Sequence, residues 1–226
     1  MKITRQGCAH YTNGMNNQDF CYLDQNLKMV LDGCSEAQYS EVGTRLFIQV
    51  FSTLPDRAKV ECFEENVKKT FDELLEMFKK WFTTKEAVEE FIMDNLLFTI
   101  VACFEMEDSF IVKMFGDGYI VTVNKNDKVS YLKFFYGKRP PYFAYKYCEL
   151  LEDNIFKDYH FKTFTFSKKE FQKVGVASDG IQPIAKGDIK TDFDTLIVSK
   201  VESEYGAEGI ILANNHLFKD DITILI

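Results

Sequence analysis

The stretch Met29-Val30-Leu31-Asp32-Gly33-Cys34 runs from apolar residues directly into an Asp-Gly pair. The apolar residues predict a buried strand, and the glycine frees the backbone where that strand ends. Four other segments repeat this design: Asn17-Gln18-Asp19-Phe20, Phe115-Gly116-Asp117-Gly118, Val176-Ala177-Ser178-Asp179-Gly180 and Lys219-Asp220-Asp221-Ile222-Thr223. Together the five segments predict one cleft that holds several carboxylates.

Converging carboxylates stay ionised together only when cations compensate their charge. Mg²⁺ and Mn²⁺ prefer oxygen ligands, and two such ions can activate a water while screening the charge of a phosphate. Asp32 is the candidate for a carboxylate shared by two ions, because the carbonyl of Gly33 can turn into the site as a further ligand. Any one of these segments alone is equally typical of an ordinary turn.

The amino-acid composition predicts a single domain without a nucleic-acid or membrane partner. The chain has 226 residues, is 46% hydrophobic and contains no Pro/Gly/Ser-rich linker, which predicts a single domain over residues 1–226. The 27 basic and 35 acidic residues give a net charge of −8, with no basic stripe among the aromatics, so we expect no nucleic-acid partner. No apolar run approaches the roughly 20 residues of a membrane span, so we expect no membrane partner.

The cysteines and histidines argue against several other enzyme classes. The six cysteines include no CxxC pair, which predicts reduced thiols in a cytoplasmic protein without a signal peptide. None is followed six residues later by the arginine that a cysteine-dependent phosphatase needs, so Cys34 is not expected to be a nucleophile. The three histidines share no zinc spacing.

Hydrophobic periodicity predicts two groups of strands with helices between them. The predicted strands cover residues 20–23, 27–31, 98–104, 110–115, 119–123, 129–134, 160–166, 173–177 and 222–226. The predicted helices cover residues 37–54, 60–82, 85–93 and 194–204, with residues 192–195 at the last N-terminus, and residues 137–141 read as an exposed loop. This order favours a β-sandwich covered by helices over a parallel doubly wound sheet.

The five segments, in order, resemble the motifs of the metal-dependent type 2C (PPM) Ser/Thr protein phosphatases, over Gly7 to Ile226. Asn17-Gln18-Asp19 is similar to the family's N-E/Q-D, Asp32-Gly33 to its first D-G, Gly116-Asp117-Gly118 to G-D-S/G, Ala177-Ser178-Asp179-Gly180 to A-S-D-G, and Asp220-Asp221-Ile222-Thr223 to D-N/D-x-T. The opening Gly7-Cys8-Ala9-His10 resembles a bacterial subgroup with a G-x-S-H...Q-D opening. The resemblance implies an α+β fold, a four-layer α-β-β-α sandwich of two largely antiparallel sheets.

The resemblance also implies a ligand set for two Mn²⁺ or Mg²⁺ ions and a third, weaker ion. Asp32 would bridge two ions, with the Gly33 carbonyl on one and Asp179 and Asp220 on the other. Asp19 would support the cluster directly or through water, Asp117 with Asp179 would hold the third ion, and Asp221 takes the Asn position of its motif. The implied reaction is in-line attack of a metal-bridging water or hydroxide on a phosphoserine or phosphothreonine, without a phosphoenzyme.

Two departures from the family pattern concern the substrate rather than the metals. Gly14 stands where many members have a phosphate-gripping arginine, and Cys34 stands where a histidine general acid is common. Cys34 is therefore expected beside the substrate. His10 has two open interpretations: it approaches the phosphate or protonates the leaving group, or it is hydrogen-bonded within a strand pair.

The expected partners are a phosphoprotein substrate and a cognate Ser/Thr kinase. The alternative is a catalytically weak or inactive phosphatase-like regulatory or binding module, which Gly14 and Cys34 favour and the retained carboxylates oppose. The aromatic residues Phe134, Phe135, Tyr136, Tyr142, Phe143 and Tyr145 are expected to form either a docking surface or part of the core.

Overall fold

The computed structural model describes residues 1–135, 140–149, 158–187, 189–199 and 204–226, and within these ranges the chain forms ten β-strands and seven α-helices. The strands are β1 (Lys2–Arg5), β2 (Phe20–Leu23), β3 (Leu27–Gly33), β4 (Phe98–Glu105), β5 (Ser109–Phe115), β6 (Gly118–Asn124), β7 (Val129–Phe134), β8 (Lys162–Ser167), β9 (Phe171–Ala177) and β10 (Ile222–Leu225). The helices are α1 (Cys8–Thr12), α2 (Ser40–Thr53), α3 (Phe63–Lys79), α4 (Lys85–Asn95), α5 (Gln182–Lys186), α6 (Lys190–Val198) and α7 (Glu204–Ala213).

The strands form two antiparallel five-stranded sheets. The first sheet has the order β1-β10-β9-β6-β7, and the second has the order β2-β3-β4-β5-β8. At the centre of the second sheet, β3 and β4 pair over seven residues, from Leu27 opposite Phe104 to Gly33 opposite Phe98. This register places Asp32 opposite Thr99 at the end of the ladder.

Three apolar layers hold these elements together. Val30, Val101, Val112, Ile120 and Val176 lie among the buried residues between the two sheets. A second layer packs α2, α3 and α4 against the second sheet, and a third packs α5, α6 and α7 against the first sheet. Because both faces of the central strands are buried, β4 is a continuous apolar run rather than an alternating one. The predicted four-layer α-β-β-α sandwich is confirmed.

Several local predictions differ from the structure. The helix predicted over 194–204 is α6, which ends at Val198, and α7 begins at Glu204; residues 200–203 lie outside the described ranges. Residues 192–195 lie inside α6 rather than at its N-terminus, because Phe193 and Ile197, four residues apart, are both buried against the first sheet. Residues 137–139 of the predicted exposed loop lie outside the described ranges, and Pro141 is buried.

Two elements near the N-terminus, β1 and α1, were not predicted. β1 pairs with the last strand, β10, so the two ends of the chain share one edge of the first sheet. Within the described residues, none of the helices combines the length and the apolar character that crossing a membrane would require.

Candidate metal centre

The two sheets deliver four aspartates to one cavity. Asp32 lies at the end of β3 in the second sheet, while Asp179 follows β9 and Asp220 precedes β10 in the first sheet. Asp117 lies in the turn between β5 and β6, where the chain crosses from one sheet to the other. All four line a cavity of about 410 Å³. The cluster therefore forms at the edge where the two sheets meet.

Asp32 and Asp179 are in direct contact. The backbone N–H of Asp179 donates a hydrogen bond of 3.3 Å to Oδ2 of Asp32. Asp179 begins a short 3₁₀ helix, Asp179–Ile181, and a Cβ on Gly180 would lie 1.9 Å from the carbonyl oxygen of Asp221. The absence of a side chain at Gly180 thus lets the Asp179 and Asp220 segments lie side by side.

Two further glycines bring the remaining carboxylates close. A Cβ on Gly33 would lie 2.7 Å from the carbonyl oxygen of Gln18, so β3 packs directly against the segment that carries Asp19. Gly116 has φ = +100°, a conformation that favours glycine, and a Cβ there would lie 2.6 Å from the side chain of Thr99. Gly33 and Gly116 therefore allow the segments that carry Asp32 and Asp117 to pack closely against their neighbours.

Nearby cationic side chains offset the charge on the cluster only in part. Lys133 lowers the pKa of Asp117 and of Asp179, and His10 lowers that of Asp220, yet all three pKa values stay above the ordinary value. Removal from water raises the pKa of Asp32 well above its usual range, and the charges of Asp19, Asp179, Asp220 and Asp117 add to this rise. Burial, together with the charges of Asp220 and Asp117, raises the pKa of Asp179 to about 6. Burial also raises the pKa of Asp117 and of Asp220. Bound cations would compensate the negative charge of these buried carboxylates and let them stay ionised together.

Asp19 gives an independent observation in favour of a cation. Its side chain is 3% exposed, and its Oδ2 is buried without a hydrogen-bond partner among the described residues. Burial raises its pKa to about 8, and the charges of Asp221 and Asp220 contribute. A buried carboxylate oxygen without a donor is costly unless a positive charge faces it. The all-oxygen donor set therefore fits a hard divalent cation.

The adjacent residues Asp220 and Asp221 occupy different environments. The carboxylate of Asp221 is buried and accepts hydrogen bonds from the backbone N–H groups of Gly7, at 2.8 Å, and Gln18, at 2.6 Å. The side chain of Asp220 is 47% exposed and lines the cavity. Asp220 is therefore available to a cation, while Asp221 joins the N-terminal segment to β10.

His10 lies against this pair of aspartates. Its Nδ1 lies 2.9 Å from Oδ2 of Asp221, and its Nε2 lies 3.7 Å from Oδ1 of Asp220. The ring belongs to α1, is 7% exposed and is not among the described residues that line the cavity. His10 is thus placed to orient Asp220 and Asp221. The side chains of all three offer ligand atoms within 4.8 Å of one another.

Cys34 lines the cavity directly after Asp32 and Gly33, as expected for a residue beside the substrate. Burial raises the pKa of the Tyr142 phenol, and the neighbouring Cys34 contributes to this rise. The sequence leaves Tyr142, Phe143 and Tyr145 open between a docking surface and the core. The structure buries all three, and Tyr142 and Tyr145 line the cavity. Of that aromatic group, Phe135 is exposed, and Tyr136 lies outside the described residues.

Other cavity residues were also absent from the predicted site: Ser35, Glu36, Asp94 and Thr99. Thr99 lies opposite Asp32 in the β3–β4 register, and its buried hydroxyl has no hydrogen-bond partner among the described residues. Its only sequence signal was a polar residue at the start of an apolar strand.

Several solved structures with a similar fold are bacterial phosphatases. The serine/threonine phosphatase Stp1 from Staphylococcus aureus matches with a TM-score of 0.64 and 15% identity, over 99% of this chain and 92% of that one. The serine/threonine phosphatase PstP/Ppp of Mycobacterium tuberculosis matches with a TM-score of 0.63 and 13% identity, over 99% and 95% of the two chains. The catalytic domain of PstP in complex with two manganese ions gives a TM-score of 0.63 at 13% identity, over 99% and 94%.

No curated protein sequence matches the chain closely enough to count as a relative. The sequence model of the family described as Protein phosphatase 2C matches residues 6–208, which include the segments of Asp19, Asp32, Asp117 and Asp179. This chain therefore belongs to the protein phosphatase 2C family, and its function is the one predicted from its motifs, that of a metal-dependent Ser/Thr phosphatase.

Proposed function

We propose that this protein is a Mn²⁺- or Mg²⁺-dependent phosphoprotein phosphatase whose reaction takes place in the cavity formed by Asp32, Asp117, Asp179 and Asp220. The observation that carries the proposal is the convergence of these four carboxylates, from both sheets, on one cavity with raised pKa values. Family membership supports the reaction class, and the cluster supports its dependence on metal.

Asp32, Asp179, Asp220 and the carbonyl of Gly33 would hold two ions, with Asp19 supporting them and Asp117 with Asp179 available to a third. The neighbouring PstP structure contains two manganese ions, which supports this number and this metal. Bound divalent ions would supply charge compensation for the phosphate and lower the pKa of a water that attacks phosphorus. We assign Asp221 to positioning, because backbone N–H groups already occupy both of its oxygens.

The residues of the chain itself prepare this reaction in two ways. The hydrogen bond from Asp179 to Asp32 fixes the spacing of carboxylates from different sheets. Among the described residues that line the cavity there is no lysine, arginine or histidine, so bound cations would supply positive charge where the phosphate lies. Hydrogen-bond donors are instead the hydroxyls of Ser35, Thr99, Tyr142 and Tyr145.

Family membership implies phosphoprotein substrates. A cognate Ser/Thr kinase, a cytoplasmic location and a single domain over residues 1–226 remain predictions from the sequence. An inactive binding module is disfavoured, because a scaffold has no physical need for so many carboxylates with raised pKa values in one cavity.

The experiment is hydrolysis of a phosphothreonine peptide and, separately, of p-nitrophenyl phosphate. Each assay is run with Mn²⁺, with Mg²⁺ and with a chelator present in excess. We expect turnover of both substrates with metal and none with chelator, and restoration when Mn²⁺ is added back. Absence of metal-dependent turnover on both substrates would overturn the proposal, while turnover of the aryl phosphate alone would overturn the assignment of phosphoproteins as substrates.

A further inference from the structure

A second cavity adjoins the metal centre and shares two of its carboxylates. It has a volume of about 440 Å³, and Asp179 and Asp220 line both this cavity and the one that holds the aspartate cluster. The residues that line only the second cavity are Gly180, Gln182, Pro183, Lys186, Leu217 and Lys219. A peptide whose phosphorylated side chain lies at the metal centre can therefore place its neighbouring residues in the second cavity.

One wall of the second cavity is fixed by buried isoleucines. The short 3₁₀ helix that begins at Asp179 runs directly into α5, and Ile181 and Ile184 are both fully buried against the first sheet. Gln182 and Lys186 are four residues apart, so they share a face of α5 that differs from the face of Ile184. Lys186 is exposed. The packing of α5 thus holds Lys186 at the edge of the second cavity.

The opposite wall is fixed by backbone hydrogen bonds to α1. The carbonyl of Phe218, whose side chain is fully buried, accepts a hydrogen bond of 2.8 Å from the N–H of Cys8. The carbonyl of Lys219 accepts a hydrogen bond of 3.2 Å from the N–H of Ala9. The side chain of Lys219 is exposed, and the next residue is Asp220 of the metal centre. Lys219 is therefore held beside the site of reaction.

The two lysines give the second cavity its positive charge. Among the residues that the structure describes, neither Lys186 nor Lys219 has an ion-pair partner. In the metal-loaded enzyme, bound cations would compensate Asp179 and Asp220, the two acidic residues of this lining. An acidic side chain in the second cavity would then meet two ammonium groups without displacing an existing ion pair.

We propose that Lys186 and Lys219 form a subsite for an aspartate or glutamate of the phosphoprotein, close in sequence to the residue that is dephosphorylated. This inference deepens the phosphatase function proposed above and rests on it. An extended peptide advances about 3.3 Å per residue, and a lysine side chain is long and flexible, so the acidic residue lies within about three positions of the phosphorylated one. The lysines contact this flanking residue and not the phosphate, because neither lines the cavity of the aspartate cluster.

The test uses two phosphothreonine peptides that differ only in Asp or Asn at these flanking positions on both sides. The ratio of their kcat/KM values is measured in Mn²⁺ at low ionic strength, so any change in the metal centre itself cancels. We expect wild type to favour the Asp peptide about fourfold to twenty-fivefold, and Lys186→Gln and Lys219→Gln each to lower the ratio about twofold to fivefold. The double variant should bring the ratio close to one.

Lys190→Gln is the matched control. It makes the same change of charge on the neighbouring helix α6, but Lys190 lies over the ring of Tyr131, with Nζ 5.5 Å from the centroid, and lines neither cavity. This variant should keep the wild-type ratio. Added NaCl should lower the ratio of wild type toward that of the double variant, because salt screens exposed charges.

Three results would overturn the subsite. If wild type hydrolyses both peptides equally well, the subsite is wrong and the phosphatase function stands. If the preference for the Asp peptide survives in the double variant, or falls equally in Lys190→Gln, Lys186 and Lys219 do not form the subsite. If wild type hydrolyses neither peptide in Mn²⁺, the inference falls together with the proposed function.

Discussion

The backbone N–H of Asp179 donates a hydrogen bond to Oδ2 of Asp32 at 3.3 Å, joining residues 147 positions apart in the chain. One residue ends a strand of the second sheet, and the other follows a strand of the first. The contact therefore exists only when the two sheets are packed on each other. Packing of the two sheets therefore brings these two members of the carboxylate cluster together.

The metal-free protein should lose stability as the pH rises. The pKa of Asp19 is about 8 and that of Asp179 about 6 in the folded protein, against an ordinary value of 3.8. Between these values the folded state binds more protons than the unfolded chain, so the free energy of unfolding falls with increasing pH. We expect a loss on the order of 2–4 kcal/mol between pH 5 and pH 8, measured by urea denaturation in chelator.

Two controls identify the source of this pH dependence. Asp19→Asn removes one of the titrating groups and should flatten the curve. Addition of Mn²⁺ at pH 8 should restore stability, because binding to the folded state alone stabilises it by mass action. A metal-free protein that is equally stable at pH 5 and pH 8 would contradict the idea that its carboxylates repel one another.

The pair Asp220 and Asp221 provides matched variants with opposite expected effects. Asp221→Asn replaces one of the two acceptor oxygens that bind Gly7 and Gln18, and we expect a loss of about 2–3 kcal/mol in the free energy of unfolding. Asp220→Asn should leave stability without metal unchanged or slightly raised, and should weaken Mn²⁺ binding. Denaturation of both variants measures their stability, and calorimetric titration measures their Mn²⁺ binding. If Asp221→Asn weakened Mn²⁺ binding and Asp220→Asn lowered stability instead, Asp221 would be the ligand.

His10→Ala separates a positioning role from a catalytic one. Because the ring is buried against Asp221 and does not line the cavity, we expect a loss of about 1–3 kcal/mol of stability. The kcat of the folded variant should change by less than about tenfold. A proton donor would instead give a fall of about a hundredfold or more with stability and metal binding retained, and that result would restore the catalytic interpretation of His10.

The strongest periodic segments could be predicted from the sequence, but α1 could not. α1 has five residues, and its first N–H groups are satisfied by distant carbonyls: Cys8 donates to Phe218 at 2.8 Å and Ala9 to Lys219 at 3.2 Å. A Cβ on Gly7 would lie 2.4 Å from the backbone of Asp220. Contacts of this kind depend on tertiary structure, and no local pattern encodes them.

The functional site, too, was predictable from the sequence only in part. Asp32, Asp117, Asp179 and Asp220 each carry a glycine or strand signal in the sequence, and all four line the cavity. Tyr142 has no such signal, because its segment resembles any aromatic stretch of a core. Its place at the cavity depends on the packing of Phe143 against Phe71 and Phe115.

Asp32→Asn shows directly whether Asp32 holds the metal ions on which hydrolysis depends, when Mn²⁺ binding and hydrolysis of a phosphothreonine peptide are measured on one preparation. We predict that kcat falls by about a thousandfold or more and that the number of Mn²⁺ ions bound decreases, while the metal-free variant unfolds at the same or a higher denaturant concentration. A folded Asp32→Asn protein that binds the full number of Mn²⁺ ions and hydrolyses the peptide at the wild-type rate would show that Asp32 is not a metal ligand.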